Sequence, residues 1–210
     1  MKKTFVLVTL FVLPLVAYLF FASGVNNFGR LPILTERVID VKTIDPQITL
    51  MNKITVLGFM GDDVEGKKTV ALNLNQKIYK RFYEFQDFQF VMLVSGDVEE
   101  RVEELKYELA QLEDISRWNF VKADEQGIKT IFKGLKSNIE LGDDLSTPYV
   151  FIIDKDMNLR GRTDDEDEGV KYGFDATSVA ELNNKMVDDV KIILAEYRLA
   201  LKKNNAARSK

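Results

Sequence analysis

The stretch that decides the fold is Ile54-Thr-Val-Leu-Gly-Phe-Met60, which runs directly into Gly61-Asp62-Asp63. A short apolar run that ends in a glycine and two acidic residues is typical of a buried strand that meets a loop. After the loop, apolar residues recur at intervals of three and four, which predicts a helix with one buried face. The residues of that face are Ala71, Leu74, Ile78, Phe82 and Phe85.

The alternation of strand and helix continues towards the C-terminus. Phe88 to Val94 is predicted to be a second buried strand, and Trp118 to Val121 a third. A helix is predicted after each of them, the first capped by Asp97 with Glu100, and the second opened by Asp124. The buried faces are Val98, Val102, Leu105, Leu109 and Leu112 in the first helix, and Ile128, Ile131, Phe132 and Leu135 in the second.

A hairpin and a closing helix are predicted for the last part of the chain. Tyr149 to Ile153 is the fourth strand, and the polar turn from Asp154 to Asn158 leads into a returning strand at Leu159. Ser178 and Glu181 have the spacing of a capping box at the start of the last helix. The buried face of that helix is Val179, Leu182, Met186, Val190, Ile193, Tyr197 and Leu201.

This order of elements predicts an α/β domain of three layers. A largely parallel sheet carries helices on both faces, and the hairpin adds antiparallel strands at one side. The layout resembles the thioredoxin-like fold, in which a cis-proline commonly precedes the hairpin strand. We therefore expect a cis bond between Thr147 and Pro148, with an ordinary trans bond as the alternative. The loop Gly61 to Lys68 should lie beside this segment at one end of the sheet.

The N-terminus carries a candidate membrane anchor. Met1-Lys2-Lys3 precedes an uncharged run from Thr4 to Ser23, which at helical rise matches the hydrocarbon thickness of a bilayer. The two lysines predict a cytoplasmic N-terminus and a domain outside the cytoplasm, in the periplasm beyond an inner membrane. The alternative is a cleaved signal peptide, for which Ala22-Ser23-Gly24 offers small residues.

These patterns divide the chain into four parts. We expect an anchor at residues 1–25, a stem at 26–52, a thioredoxin-like domain at 53–201 and a polar tail at 202–210. The stem contains Pro32 and Pro46, and its apolar residues show no sustained period, so we expect it to have no fold of its own.

The chain contains no cysteine and no histidine, which excludes several kinds of chemistry. Thiol-disulfide exchange, thiolate metal sites, histidine metal sites and serine-histidine catalysis all require one of these side chains. The 29 basic and 33 acidic residues give a net charge of −4, so the chain lacks the strong positive field that nucleic-acid binding requires. We expect no nucleic-acid partner.

Several segments together resemble one protein family. They are Val56-Leu-Gly-Phe-Met60, Asn73-Leu74, Ile78-Tyr79, Phe90-Val-Met-Leu-Val-Ser95, Trp118-Asn-Phe120, Tyr149-Val-Phe-Ile-Ile-Asp154 and Tyr172 to Asp175. In this order and spacing, from about Lys53 to Glu196, the chain resembles the Sco/SenC family, which comprises membrane-anchored thioredoxin-like proteins that help copper reach cytochrome c oxidase. The resemblance implies a role in the assembly of a respiratory oxidase.

The residues that the family uses for chemistry are replaced in this chain. The family has a C-x-x-x-C loop after the first strand and a histidine before the hairpin strand. Gap-free threading places Asp63 and Lys67 near the cysteine positions and Ser146 near the histidine. Because Cu(I) prefers thiolate and imidazole ligands, we expect no copper, no other cofactor and no thiol redox activity. The remaining function is that of a protein-binding or accessory assembly factor without catalysis.

The expected contact surface for an unidentified protein partner consists of Asp62, Asp63, Thr147 and Pro148. Two alternatives stay open: an enzyme of unknown reaction built on the loop from Asp62 to Lys68, and a structural envelope protein that uses the domain as a rigid spacer.

Two further charged groups have alternative interpretations. The acidic run from Asp164 to Glu168 is either a solvated turn or, less in keeping with its spacing, a calcium site. Arg160 and Arg162 either bind a carboxylate or protect an edge strand from aggregation.

Overall fold

The computed structural model of the protein describes residues 9–16, 18 and 29–208, the last eight of them by their backbone alone. Residues 9–16 are helical. Within the described ranges no helix is both long and apolar enough to cross a bilayer. The rest of the predicted anchor, with its lysines and the candidate cleavage site, lies outside the described residues.

A mixed seven-stranded sheet forms the centre of the domain. Its strands are β1 (Ile33–Thr35), β2 (Ile54–Gly61), β3 (Phe88–Val94), β4 (Trp118–Lys122), β5 (Tyr149–Ile153), β6 (Leu159–Arg160) and β9 (Phe174–Asp175). The spatial order is β1-β6-β5-β2-β3-β4, and β9 pairs with the first residues of β5. Strands β2, β3 and β4 are parallel, whereas β5 is antiparallel to β2 and β6 to β5. A separate hairpin consists of β7 (Arg162–Asp165) and β8 (Gly169–Lys171).

Helices cover both faces of this sheet. Helix α1 comprises Lys68–Leu74, a π-helical turn at Asn75–Tyr79 and Lys80–Phe82; α2 is Glu99–Ala110; α3 is Glu125–Gly134; α4 comprises Val179–Glu181, a π-helical turn at Leu182–Met186 and Val187–Arg208. Helices α1, α2 and α4 pack on one face, and α3 packs on the other. The sheet order and the three layers confirm the predicted thioredoxin-like α/β fold.

Local sequence signals account for most element boundaries. Strands β3 and β5 have the predicted bounds. Asp124 caps α3, its carboxylate accepting from the Gly127 amide at 2.7 Å, and the Ser178 hydroxyl accepts from the Glu181 amide at 3.2 Å. The predicted cap of α2 is wrong, because Asp97 makes no hydrogen bond to the first turn and its carboxylate lies 3.6 Å from the Lys122 ammonium.

Three residues predicted to lie on buried helix faces are instead exposed. Phe85 and Leu112 follow the last residues of α1 and α2, where the chain has already turned away from the sheet, and are 38% and 43% exposed. Val179 is the first residue of α4 and is 39% exposed. The helical spacing of apolar residues in the sequence therefore extends past the residues of each helix that pack against the sheet.

The segment predicted as an independent stem belongs to the domain. Strand β1 pairs with β6, a 3-10 helix forms at Val41–Thr43, and Leu31, Val38, Val41 and Leu50 are buried. Val38, Val41 and Leu50 cover the face of the sheet beside α3, and Leu31 packs on the opposite face. The backbone of the predicted polar tail, residues 202–210, is helical as far as Arg208, because α4 continues into it.

The acidic run lies in the turn between β7 and β8, where lysines contact it. The Lys185 ammonium is 2.7 Å from both the Asp165 and the Asp167 carboxylates. Lys171, which is fully buried, contacts Glu168 and lies 2.8 Å from Glu181. The carboxylates of Asp165, Asp167 and Glu168 are thus engaged in ion pairs within the domain.

Arg160 joins three separate parts of the chain. Its guanidinium is 2.9 Å from the Asp154 carboxylate and 2.8 Å from the Glu196 carboxylate, and its Nε donates to the Leu31 carbonyl at 2.8 Å. The Leu31 amide also donates to Glu196, at 3.0 Å. Arg162 similarly pairs with Asp189 of α4 at 2.8 Å. Both arginines therefore bind carboxylates, as one of the two interpretations predicted, and the carboxylates belong to the same chain.

We expect Arg160→Ala to lower the free energy of unfolding by about 3–5 kcal/mol, because it leaves the buried Asp154 carboxylate without its cation. Urea unfolding followed by circular dichroism measures the change. The matched control is Lys191→Ala, which removes a pair with Asp188 in which both side chains are more than half exposed. That change should cost less than about 1 kcal/mol, and equal losses in the two variants would contradict the role of Arg160.

Candidate functional site

The loop after β2 and the segment before β5 meet at the edge of the sheet where the parallel strands end. Met60 and Ser146 form an isolated antiparallel bridge. The Asp62 amide donates to the Asp144 carbonyl at 3.2 Å, and the Thr147 amide donates to the Phe59 carbonyl at 3.1 Å. This arrangement confirms the prediction that the two segments are neighbours.

Gly61 permits this close approach. Its φ is +60°, in the left-handed region that favours glycine, and a Cβ at this position would lie 1.8 Å from the Asp144 carbonyl oxygen. Any larger residue would therefore separate the loop from the segment that contains Asp144 and Ser146.

Asp144 connects two of the positions where the resemblance places metal ligands. Its Oδ2 accepts a hydrogen bond from the Ser146 hydroxyl at 2.7 Å and lies 3.9 Å from the Lys67 ammonium. Its Oδ1 accepts from the Ser146 amide at 3.1 Å. We refer to Lys67, Asp144 and Ser146 as the Asp144 network.

The electrostatics of the Asp144 network favour the ionised form of this carboxylate. The hydrogen bond from the Ser146 hydroxyl lowers the pKa of Asp144, and the Lys67 charge lowers it further. A carboxylate with a lowered pKa is a weak base, and Ser146 is only 3% exposed. The network is therefore poorly suited to general-base or nucleophilic catalysis.

Asp63 does not join the Asp144 network. Its Oδ1 accepts from the Gly66 amide at 3.0 Å, which stabilises the turn ahead of α1. Asp62 and Asp63 are both exposed, and Arg101 donates to the Asp62 carbonyl at 3.2 Å. Of the three positions that the resemblance assigned to metal ligands, Lys67 and Ser146 both contact the Asp144 carboxylate. Asp63 instead stabilises the turn ahead of α1.

The predicted cis bond before Pro148 is wrong, since no peptide bond among the described residues is cis. The segment is held by pairing on both sides: the Thr147 amide donates to β2, and the Pro148 carbonyl accepts from the Ala176 amide at 3.0 Å. These backbone groups are consequently not free to pair with an added peptide strand. Thr147 is 4% exposed, whereas Pro148 is half-buried, so Thr147 offers a partner little surface.

The residues at this edge do not fit copper. Cu(I) prefers soft thiolate and imidazole ligands, whereas Lys67 presents an ammonium, Ser146 a hydroxyl and Asp144 a hard carboxylate. A lysine cation at this place also repels a metal ion. Among the residues that the structure describes, no group of three or more acidic side chains is arranged to hold a metal.

A groove of about 670 Å³ lies beside the site, where β3 and β4 end against α3. It is lined by residues that include Ile44, Gly96, Asp97, Asp124 and Thr130, and none of Lys67, Asp144 and Ser146 is among them. The groove adjoins the loop after β2, because a Cβ at Gly96 would lie 3.6 Å from the Asp62 Cβ.

Comparison with known proteins gives matches among solved structures alone. No protein-family model matches the chain, and no curated protein matches it. A SCO1/SenC family lipoprotein from Bacillus anthracis matches at 17% identity and a TM-score of 0.44, over 80% of this chain and 98% of the lipoprotein. The chain is similar to SCO1/SenC family proteins.

Two further structures show the range of these similarities. Arabidopsis thaliana ScoI, solved with copper bound, has 15% identity and a TM-score of 0.41, over 69% of this chain and 89% of its own. The thioredoxin domain of a thiol-disulfide oxidoreductase from Bacteroides vulgatus has 15% identity and a TM-score of 0.42, over 79% and 96%. SCO1/SenC family proteins are thus among the similar structures, as the sequence predicted, while the fold assignment rests on the sheet topology of this chain.

We expect Asp144→Asn to destabilise the protein at neutral pH and not at acidic pH. The folded state lowers the pKa of Asp144, so its contribution is complete above the unfolded pKa of about 4 and is lost as the pH falls through the folded value. The difference at pH 7 should be below about 1 kcal/mol, because the side chain is 37% exposed. Unfolding free energies measured from about pH 7 to pH 2 test this expectation.

The control is Asp143→Asn, which changes the neighbouring exposed carboxylate outside the network. If both variants show the same pH dependence, the stabilisation does not come from the contacts of Asp144 with Ser146 and Lys67.

Proposed function

We propose that the chain is a membrane-anchored, extracytoplasmic thioredoxin-like protein of Sco/SenC type that binds another protein without copper or thiol redox chemistry. The observation that carries the proposal is the Asp144 network. At two positions where the resemblance expects a cysteine and a histidine, the chain has a lysine and a serine that bind the same carboxylate. Both groups contact Asp144, and backbone hydrogen bonds join the loop to the segment before β5 without a metal.

The membrane location in this proposal rests on the sequence. The uncharged run from Thr4 to Ser23 has the length of a spanning helix, and the preceding lysines favour a cytoplasmic N-terminus. A role as an accessory factor in the assembly of a respiratory oxidase follows from the resemblance to the Sco/SenC family.

The proposed partner surface is the edge of the sheet that carries Asp62, Asp63 and Pro148. Both aspartates are exposed, and Arg101 holds the backbone of Asp62 in place. Because the Thr147 amide and the Pro148 carbonyl are already paired, we expect recognition at this edge to depend on side chains. Charged side chains of this kind mainly influence the association rate and the choice of partner.

We expect the purified full-length chain not to retain Cu(I) in competition with a chelator of moderate affinity, because it has no thiolate or imidazole ligand. Copper is measured after gel filtration of the protein with the chelator. One tightly held copper ion per chain would refute the proposal.

A variant that supplies the missing ligands tests whether these three positions can form a copper site. Asp63→Cys and Lys67→Cys together with Ser146→His supply the two thiols and the imidazole that the resemblance calls for. This triple variant is expected to retain Cu(I) under the conditions in which the natural chain does not. The double variant Asp63→Cys with Lys67→Cys leaves the buried Ser146 unchanged. It therefore shows how much copper the two thiolates hold by themselves.

We expect Asp62→Lys with Asp63→Lys to reduce the recovery of a protein partner by at least about tenfold, because reversal of two exposed charges alters electrostatic complementarity. Recovery is measured in spheroplasts with a membrane-impermeant cross-linker and the anchored chain. The cross-linker also tests the proposed orientation, since it reacts only with a domain outside the cytoplasm.

The matched control reverses two exposed glutamates at the opposite edge of the sheet, Glu36→Lys with Glu84→Lys. It produces the same change in net charge and should leave recovery of the partner unchanged. A partner that is lost equally with both variants, or only in step with thermal stability, does not bind at Asp62 and Asp63.

A further inference from the structure

Strand β4 forms an open edge of the sheet. It lies last in the order β1-β6-β5-β2-β3-β4, and among the residues that the structure describes no strand pairs with its outer side. The opposite edge is β1, which has three residues and an irregular register. Strand β4 has five residues in regular register with β3. An uncovered strand of regular geometry is a template for pairing with another chain.

The backbone groups on the outer side of β4 belong to its even-numbered residues. The Arg117 carbonyl and the Ala123 amide, at the two ends of the strand, both bond to β3 at 2.9 Å. Backbone groups alternate in direction along a strand, so the odd-numbered residues face β3. The amides and carbonyls of Trp118, Phe120 and Lys122 therefore point away from the sheet.

These outward groups can pair with the same groups of a second copy of the chain. Within the described part of the chain, the amides of Phe120 and Lys122 and the carbonyls of all three residues bond to no protein group, whereas the Trp118 amide donates to the Ile115 carbonyl at 2.9 Å. In an antiparallel pair with Phe120 opposite itself, the two Phe120 residues exchange amide and carbonyl bonds. Each Lys122 amide then donates to the Trp118 carbonyl of the other copy, and every free amide of β4 has a partner.

The side chains on the α2 face of β4 complement each other in the same arrangement. Phe120 is half-buried, and its ring stacks on Trp118 with 5.8 Å between the centroids. In the antiparallel pair, Phe120 lies opposite Phe120 of the second copy, and Lys122 lies opposite Trp118. Cross-strand aromatic pairs and contacts between a cation and an aromatic ring both stabilise paired strands.

The charges on the α2 side of β4 are neutralised in pairs. The Lys122 ammonium lies 2.6 Å from Glu99 and 3.6 Å from Asp97, and the Lys106 ammonium lies 2.7 Å from Glu103. An exposed lysine commonly protects an edge strand from association, but a paired lysine opposes it less. Little net charge remains to select a partner of opposite charge, whereas the backbone and aromatic groups complement themselves.

We propose that two copies of the chain associate through β4, paired antiparallel about a two-fold axis at Phe120, so that their sheets join into one. The proposal goes beyond the function proposed above. Asp62 and Asp63 follow β2, two strands away from β4, so the association does not depend on them. A second copy is the occupant because β4 supplies both halves of the pairing.

A symmetric cross-link tests the register. The natural chain has no cysteine, so Phe120→Cys introduces a single thiol. Opposite residues of a hydrogen-bonded antiparallel pair have Cα atoms about 5.5 Å apart, a distance that a disulfide can span. Under mild oxidation of the full-length chain in detergent, disulfide-linked dimers should form at least about tenfold faster than with Tyr107→Cys, at an exposed position outside β4. Equal rates for the two variants overturn the proposal.

A proline substitution tests the backbone pairing. Lys122→Pro removes an outward amide, and proline is tolerated on an edge strand where the missing amide faces solvent. The matched control is Lys122→Ala, which removes the same side chain and keeps the amide. Light scattering over a concentration series should give a dimer dissociation constant at least about tenfold higher for Lys122→Pro than for Lys122→Ala, because each dimer loses two hydrogen bonds.

Two results of this series overturn the proposal. One is a natural chain that stays monomeric at every concentration. The other is a dimer of equal stability in Lys122→Pro and Lys122→Ala, because the anchor or another surface must then hold it. Asp62→Lys with Asp63→Lys should leave the dissociation constant unchanged. A dimer lost with this variant would place self-association at the end of β2 and also overturn the proposal.

Discussion

The constraint on which the structure depends is the burial of β2. All eight of its residues are buried, so each backbone amide and carbonyl along it must find a partner inside the protein. Strand β3 supplies these partners on one side and β5 on the other, which places β2 in the middle of the sheet. Both faces then need covering, which α1, α2 and α4 provide on one side, and α3 with residues 38–50 on the other.

How far the sequence predicts this fold depends on how local each signal is. The bounds of β3 and β5 follow from uninterrupted apolar runs, and the order of elements then determines the topology. The burial of Val41 and Leu50 has no such signal, because it comes from contacts with α3 and the sheet and not from a period in the sequence. Phe85 was misplaced for the opposite reason: its spacing is helical, but the helix ends before it.

The candidate site also has a part that the sequence predicts and a part that it does not. The proximity of Lys67 to Ser146 follows from the fold, since the loop after β2 and the segment before β5 end at one edge. Asp144 was not predicted, although an aspartate two residues before a serine is the spacing of an Asx turn. Threading placed Asp63 near a cysteine position of the family but gave no information on its side chain, which accepts a hydrogen bond from the Gly66 amide.

The ion pairs of Arg160 and the Asp144 network differ in burial. The buried pairs contribute to stability, whereas the more exposed network lies at the surface proposed for recognition. The Arg160 and Asp154 side chains are 6% and 2% exposed, so their pairing is protected from water and holds β6, α4 and residue Leu31 as one body. The Lys67 and Asp144 side chains are 22% and 37% exposed, so water and salt screen their attraction and the contact contributes little to stability. A surface whose charged contacts cost little to rearrange can adapt to a partner. The rigid network fixes the N-terminal segment to the domain, and the exposed network lies where recognition is proposed.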